Sequence, residues 1–233
     1  MTLPLLTVTR MFRMAAIALV AFGFASFYIL PINQVGFSET TSNGDSKVSA
    51  GSHPVMLIWF GLAVALYTAL MVVNESTVTV GIASMKRRVV AFIVDFWFSL
   101  LGLSAIGALI PLGLEAVRTG HFSWAFERSY TVNTDMLVGL PLVLITMGLM
   151  IFYFVIPLTR GKQTVGCFVM GIKVTPPFGD EGRFTLQQAF RRTWFEFRGL
   201  CAWPFTMKPK RDAEGRTWYD IETNCRVVLV NYK

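Results

Sequence analysis

The chain has 233 residues, of which 54% are hydrophobic and 15% charged, and its net charge is +7. A soluble domain carries about 25% charged residues. This balance, with a mean hydropathy of +0.54, excludes a disordered chain and disfavours an ordinary soluble domain.

A bilayer core of about 30 Å asks for about 20 apolar helical residues. Four stretches meet that demand: 14–32, 55–73, 89–114 and 136–158. The first follows Arg10 and Arg13, as the apolar run of a signal peptide would. It is longer than the usual signal core and no A-x-A site follows, so an uncleaved anchor is expected. Residues 38–52 (SETTSNGDSKVSAGS) are polar and rich in Gly and Ser, and they read as a mobile loop. The second span carries Gly61, Ala65 and Ala69 at four-residue spacing, a stripe that would let another helix come close. Asn74-Glu75-Ser76 matches a glycosylation sequon, but it falls on the predicted inner side and is set aside.

The third span holds the costly feature. Asp95 is the single charge in 89–114, and a carboxylate near the centre of a span costs about 2.5–3.5 kcal/mol on insertion scales. Ala91, Asp95, Ser99 and Gly102 share a stripe with it. Arg88 lies two helical turns earlier, about 10 Å, and almost on the same face. Two readings follow. Asp95 is an ion or proton site whose charge state Arg88 sets, or Arg88 anchors the helix at the head groups and Asp95 is polar glue between spans. Both require Asp95 to face other spans, and Arg88 is expected at the inner membrane surface on the same face, near enough to bias Asp95 toward ionisation. Pro111 and Pro141 are expected to kink their helices.

The tail after 158 is not a span. Gly161-Lys162-Gln163-Thr164-Val165-Gly166 has the lysine in the wrong place for a nucleotide-binding loop. Residues 171–175 (GIKVT) and 226–230 (RVVLV) are short and β-rich, and each needs the other, so pairing is expected. Between them, 184–203 is aromatic yet charged. Leu186, Ala189, Phe190, Thr193, Trp194 and Phe197 recur at helical spacing, with Gln187, Gln188, Arg191, Arg192 and Arg198 elsewhere. Such a helix lies in the bilayer interface or packs on the protein's own inner surface.

The basic residues set the orientation. Residues 1–13, 74–88 and 159–233 hold 18 of the 21 lysines and arginines, and the two intervening loops hold 3. The positive-inside rule then places both termini in the cytoplasm. Anionic lipid head groups at that face are the expected electrostatic partner, at about 1 kcal/mol per well-placed basic residue; nucleic acid is not. Cys167, Cys201 and Cys225 lie on the reducing side, so no structural disulfide is expected. His53 and His121 have no ligand-like spacing, and no metal or cofactor is expected. No nucleophile–base set or facing carboxylate pair appears, so an enzyme is not expected.

The residues then meet a known family. Arg88-Val-Val-Ala91-Phe-Ile-Val-Asp95 resembles the opening helix of the RDD family, bacterial multi-pass membrane proteins named for one arginine and two aspartates. The family's glycine-rich stretch is similar to Gln163-Thr164-Val165-Gly166 and Met170-Gly171-Ile172-Lys173-Val174. Its Leu-x-x-Ala-x-x-Arg segment is matched by Leu186, Ala189 and Arg192, and its closing aspartate by Asp220 before Val227-Val228. The resemblance covers about 86–230. Cys167 stands where lysine is usual, Tyr219 where histidine is, and Cys225 where threonine is. The resemblance implies a multi-pass membrane protein and, for some members, cation/proton antiport or other transport. It also places Asp220 with Arg192 or the glycine-rich stretch, away from Asp95.

The expected fold is an all-α membrane protein. It has four transmembrane helices and a cytoplasmic tail with an interfacial amphipathic helix and a small two-stranded β element. Residues 1–80 form an N-terminal two-span region and 81–233 an RDD-like region. The expected function is transport of ions or small solutes across the bacterial inner membrane, with Arg88 and Asp95 as the polar site. The alternative is a structural or assembly subunit. Four spans enclose little space, so transport would call for a homo-oligomer, and the assembly reading for a membrane-protein partner.

Overall fold

The computed structural model describes residues 5–29, 36–42, 45–72, 77–131, 136–176, 183–201, 212 and 216–232. Seven helices and six strands occur among them. In chain order they are α1 (Leu5–Ile29), β1 (Gly36–Ser42), β2 (Asp45–Gly51), α2 (Pro54–Val72), β3 (Thr77–Ile82), α3 (Met85–Thr119), β4 (Ala125–Thr131) and α4 (Met136–Thr159). Then come α5 (Val165–Met170), β5 (Ile172–Thr175), α6 (Leu186–Cys201), α7 (Trp218–Glu222) and β6 (Arg226–Tyr232).

Three helices contain windows long and apolar enough to cross a membrane: Thr9–Ser26 within α1, Pro54–Val72 and Met85–Thr119. Among the described side chains of α4, Leu144–Thr159 is apolar, within a helix of 24 residues. At 35 residues α3 exceeds the ~20 that a span needs, and it runs on through Pro111. Large apolar side chains such as Ile58, Leu62, Ile93, Phe96 and Phe152 stand exposed on these helices, as a lipid-facing surface requires.

The chain forms two compact units, and the four long helices contribute to both. One comprises Leu19–Ala65 and Phe98–Met150. Here Trp59 is fully buried, donates its indole N–H to the Leu19 carbonyl at 3.0 Å and meets the Phe98 ring at 5.4 Å. Gly23 lies so close to Leu101 and Trp59 that a Cβ would fall 2.7 Å from the leucine. This unit also holds the sheet β1-β2-β4, antiparallel throughout.

That sheet corrects one expectation. Residues 38–42 and 45–51 are not a loop; they belong to β1 and β2, paired from Gly36↔Gly51 to Ser42↔Asp45. The backbone ladder, extended by β4, satisfies the main chain. In the small-residue stripe of α2, Gly61 and Ala65 are exposed. The sequon at 74–76 lies outside the described residues.

The other unit comprises Met1–Ala18, Leu66–Trp97 and Ile151–Lys233. Its core gathers Ala91 of α3, Val155 and Leu158 of α4, Ile172 and Val174 of β5, Ala189 of α6 and Val227 of β6. The predicted pairing of the two β-rich segments is present, from Ile172↔Leu229 to Thr175↔Arg226. The element is three-stranded rather than two-stranded. β3 pairs along the far edge of β6, with an irregularity between Thr79 and Gly81, so β6 is the middle strand. With two small sheets the fold is mostly helical rather than all-α.

The two faces of α6 are distinct. Ala189, Arg192 and Thr193 are buried, whereas Leu186, Phe190 and Trp194 are exposed. The helix turns an arginine inward and an apolar stripe outward.

Candidate functional site: a buried carboxylate beside a small cavity

Asp95 is 3% exposed and points into the protein, with Ala91 and Ser99 of its stripe buried beside it. Three neutral donors hold its carboxylate. The Tyr153 hydroxyl of α4 donates to Oδ1 at 2.7 Å. The Thr164 hydroxyl donates to Oδ2 at 2.6 Å, and the Gly166 backbone N–H donates to Oδ1 at 2.7 Å. Together they replace the water that a carboxylate loses on burial.

Local sequence builds the last two donors. Thr164 is the N-cap of α5, and its side chain accepts from the Cys167 N–H. That cap leaves the first turn of α5 open toward α3. Position 166 must be glycine for the turn to reach Asp95. A Cβ there would lie 2.1 Å from the Ala91 carbonyl oxygen and 2.8 Å from the Asp95 carboxyl carbon. Gly171 closes α5 in the left-handed conformation, with φ of 62°, and its carbonyl accepts from Val230 of β6. Gln163 donates to the Ile172 carbonyl at 2.6 Å, tying the loop to β5.

A second cluster sits in the same unit. Arg88 donates to Asp220 Oδ2, and Arg192 donates to Asp220 Oδ1 at 3.0 Å. The Thr217 N–H reaches Asp220 Oδ2 at 3.0 Å. Arg192 also lies over the Tyr219 ring at 4.8 Å and 3.7 Å from Glu196. Cys225, at the position where the family has threonine, still reaches Asp220 through sulfur at 3.9 Å. Burial alone would raise the Asp220 carboxyl. Arg192 and then Arg88 outweigh it and hold the group below its ordinary value. Burial pushes the Cys167 and Cys225 thiols up.

One expectation fails here. Arg88 is engaged with Asp220 rather than with Asp95, and it adds bonds to the Ala83 carbonyl at 3.2 Å and the Val227 carbonyl at 3.5 Å. The reason is directional. Helix side chains lean toward the N-terminus, so Arg88 reaches away from Asp95 toward the start of α3. The pairing of Asp220 with Arg192 is as expected.

Both clusters border one cavity of about 40 Å³, whose wall includes Arg88, Asp95, Lys162, Gln163, Thr164 and Glu196. At roughly 10–15 Å³ per water, this admits one to a few waters or a small ion. Tyr153 and Glu196 were not singled out from the sequence. Neither carries a local signal, since Tyr153 lies 58 residues from its partner and Glu196 sits on a helix in the tail.

Ala91, Gln163, Thr164, Gly166, Gly171, Arg192 and Asp220 all serve these two clusters, and all fall within the stretch 82–221 matched by the family model described as the RDD family. No curated protein and no solved structure matches the chain. The match spans more than half of the chain and takes in both aspartates and their arginines, so the chain belongs to the RDD family, a family of membrane proteins.

Proposed function

We propose that this protein moves ions or small solutes across the bacterial inner membrane, with Asp95 as the group that engages them and Arg88 in the wall of the same cavity. One observation carries the reading: a buried carboxylate on a membrane helix, held by neutral donors, faces a cavity of about 40 Å³. A carboxyl in such a place is costly, and packing alone would be met by an apolar residue. Glu196 in the same wall supplies a second acid. The chemistry is binding and release, with no bond made or broken in the cargo. The test is flux in reconstituted vesicles, across several monovalent cations and pH gradients. Asp95→Asn is expected to abolish flux while the protein remains folded. Retained flux in that variant removes Asp95 as the working group.

The proposed topology has four spans, α1 to α4, and both termini in the cytoplasm. It rests on the 18-to-3 division of basic residues. A reporter fused after Lys233 that is active only outside the cytoplasm is expected to be silent, and strong activity overturns the topology. In this arrangement α6 lies at the inner bilayer surface. Leu186, Phe190 and Trp194 are exposed on one stripe. Phe197, next to that stripe on the helix, packs on Phe92 of α3 at 5.2 Å and Phe154 of α4 at 5.0 Å. Arg191 and Arg198 are exposed beside the stripe, where anionic head groups would meet them. A single copy offers a cavity for only a few waters, so a homo-oligomer completes the proposed path.

The same exposed stripe favours the second reading, a structural or assembly subunit that binds a membrane-protein partner. Purification in mild detergent separates the two: a stoichiometric foreign partner supports assembly, and a homo-oligomer supports transport.

A further inference from the structure

The family match begins at residue 82, after α1 and α2. Both helices nevertheless reach the groups that hold Asp95. Tyr67 on α2 stacks on the Tyr153 ring, with centroids 5.2 Å apart, and donates its hydroxyl to the Tyr153 backbone carbonyl at 3.3 Å. Tyr153 in turn donates to Asp95, and its oxygen accepts from the Val165 N–H at 3.3 Å. Arg13 on α1 donates its Nε–H to the Val169 carbonyl at 2.7 Å, at the far end of α5. Its guanidinium lies over Gly171, 3.5 Å from where a Cβ would stand.

We propose that Tyr67 and Arg13 are positioning residues for the Asp95 site. Tyr67 grips Tyr153 by ring and by backbone, and so fixes the hydroxyl at the tip of that side chain. A hydrogen bond of 2.7 Å weakens steeply with small changes of distance and angle, so a ring that slides loses its hold on the carboxylate. Arg13 grips α5 by its carbonyl end, where a cation is favoured. That keeps the opposite end, with the Gly166 N–H, against Asp95. The two helices outside the family match are thus a brace for the site inside it. The inference deepens the transport reading, resting on Asp95 as the working group.

The experiment reads Asp95 itself rather than flux, so its failure and the failure of the transport reading are distinguishable. Infrared difference spectra of the full chain in lipid vesicles assign the Asp95 carboxyl bands as those lost in Asp95→Asn. Tyr67→Phe keeps the ring and removes the hydroxyl. It is expected to shift these bands, and to add no shift in a Tyr153→Phe background, because coupled residues are non-additive. An unmoved band, or an equal shift in both backgrounds, overturns the role of Tyr67. Should Tyr67→Phe fold poorly, 3-fluorotyrosine at position 67 changes the donor without removing it and gives the same readout. For Arg13, amide hydrogen exchange across Val165–Met170 is expected to quicken in Arg13→Gln and to return toward wild type in Arg13→Lys. Unchanged exchange in Arg13→Gln overturns that half.

Discussion

Asp220→Asn is expected to destabilise the protein by about 3–5 kcal/mol, because it leaves buried charge without its partner. Arg88 is 4% exposed and Arg192 is fully buried, and both donate to this one carboxylate. Asparagine keeps the shape and loses the charge. The thermal unfolding midpoint in mild detergent should fall sharply, and an unchanged midpoint would refute the argument. Arg191→Gln is the control, since its pair with Glu222 is 3.9 Å long and exposed on both sides; such pairs contribute little. The same cluster sets a pH dependence. The folded Asp220 carboxyl lies below its ordinary value. Its contribution is therefore complete above about pH 4, where the unfolded group is ionised. It is lost as the pH falls through the folded value. The unfolding midpoint should not change through this group between about pH 7 and 5, and should fall below about pH 4.

Gly166→Ala is the second large effect. The added Cβ would sit 2.1 Å from the Ala91 carbonyl and 2.8 Å from the Asp95 carboxyl. Neither neighbour is the free end of a flexible chain, so α5 must move off α3. Overpacking alone costs about 1–3 kcal/mol. The shift also withdraws the Gly166 N–H, and the Thr164 hydroxyl with it, from a buried carboxylate, at about 1–3 kcal/mol for each group left unpaired. The expected result is a midpoint lowered by several degrees together with shifted Asp95 carboxyl bands in the infrared. Alanine at Gly113, where no atom lies within 4 Å of the Cβ position, should leave those bands in place. Unshifted bands in Gly166→Ala would show that the close approach is dispensable.

What could be read from the sequence follows physical range. Long apolar runs state their membrane character locally, and α1 to α3 appear where hydropathy placed them. The burial of Asp95 was legible because a carboxylate among apolar neighbours has nowhere else to go. The pairing of β5 with β6 was legible because short strands need a partner. Arg88 was misassigned because helix periodicity gives a face and not a reach. Its true partner lies 132 residues away, a separation that leaves no trace in spacing. β3 was missed because six residues between a span and a basic cluster looked like a link. β1 and β2 were missed because their composition is that of a loop, although Asn43-Gly44 between them is a strong hairpin signal. Apolar spacing located α6 but did not say which side of it the protein occupies.

The placement of β6 has a consequence for manufacture. This strand follows every helix in chain order, yet it is the middle of its sheet, and Asp220 comes shortly before it. A ribosome therefore delivers the centre of the sheet and the acid of the ion cluster after α1 to α4 have emerged. Helices of this kind can enter a bilayer one after another as they are made. The unit built around β6 cannot close before this strand is made, because β6 joins β3 to β5 and Asp220 pairs with Arg88 and Arg192. A nascent chain stalled before residue 220 would hold β3 and β5 without their middle strand, and Arg88 and Arg192 without the carboxylate they share.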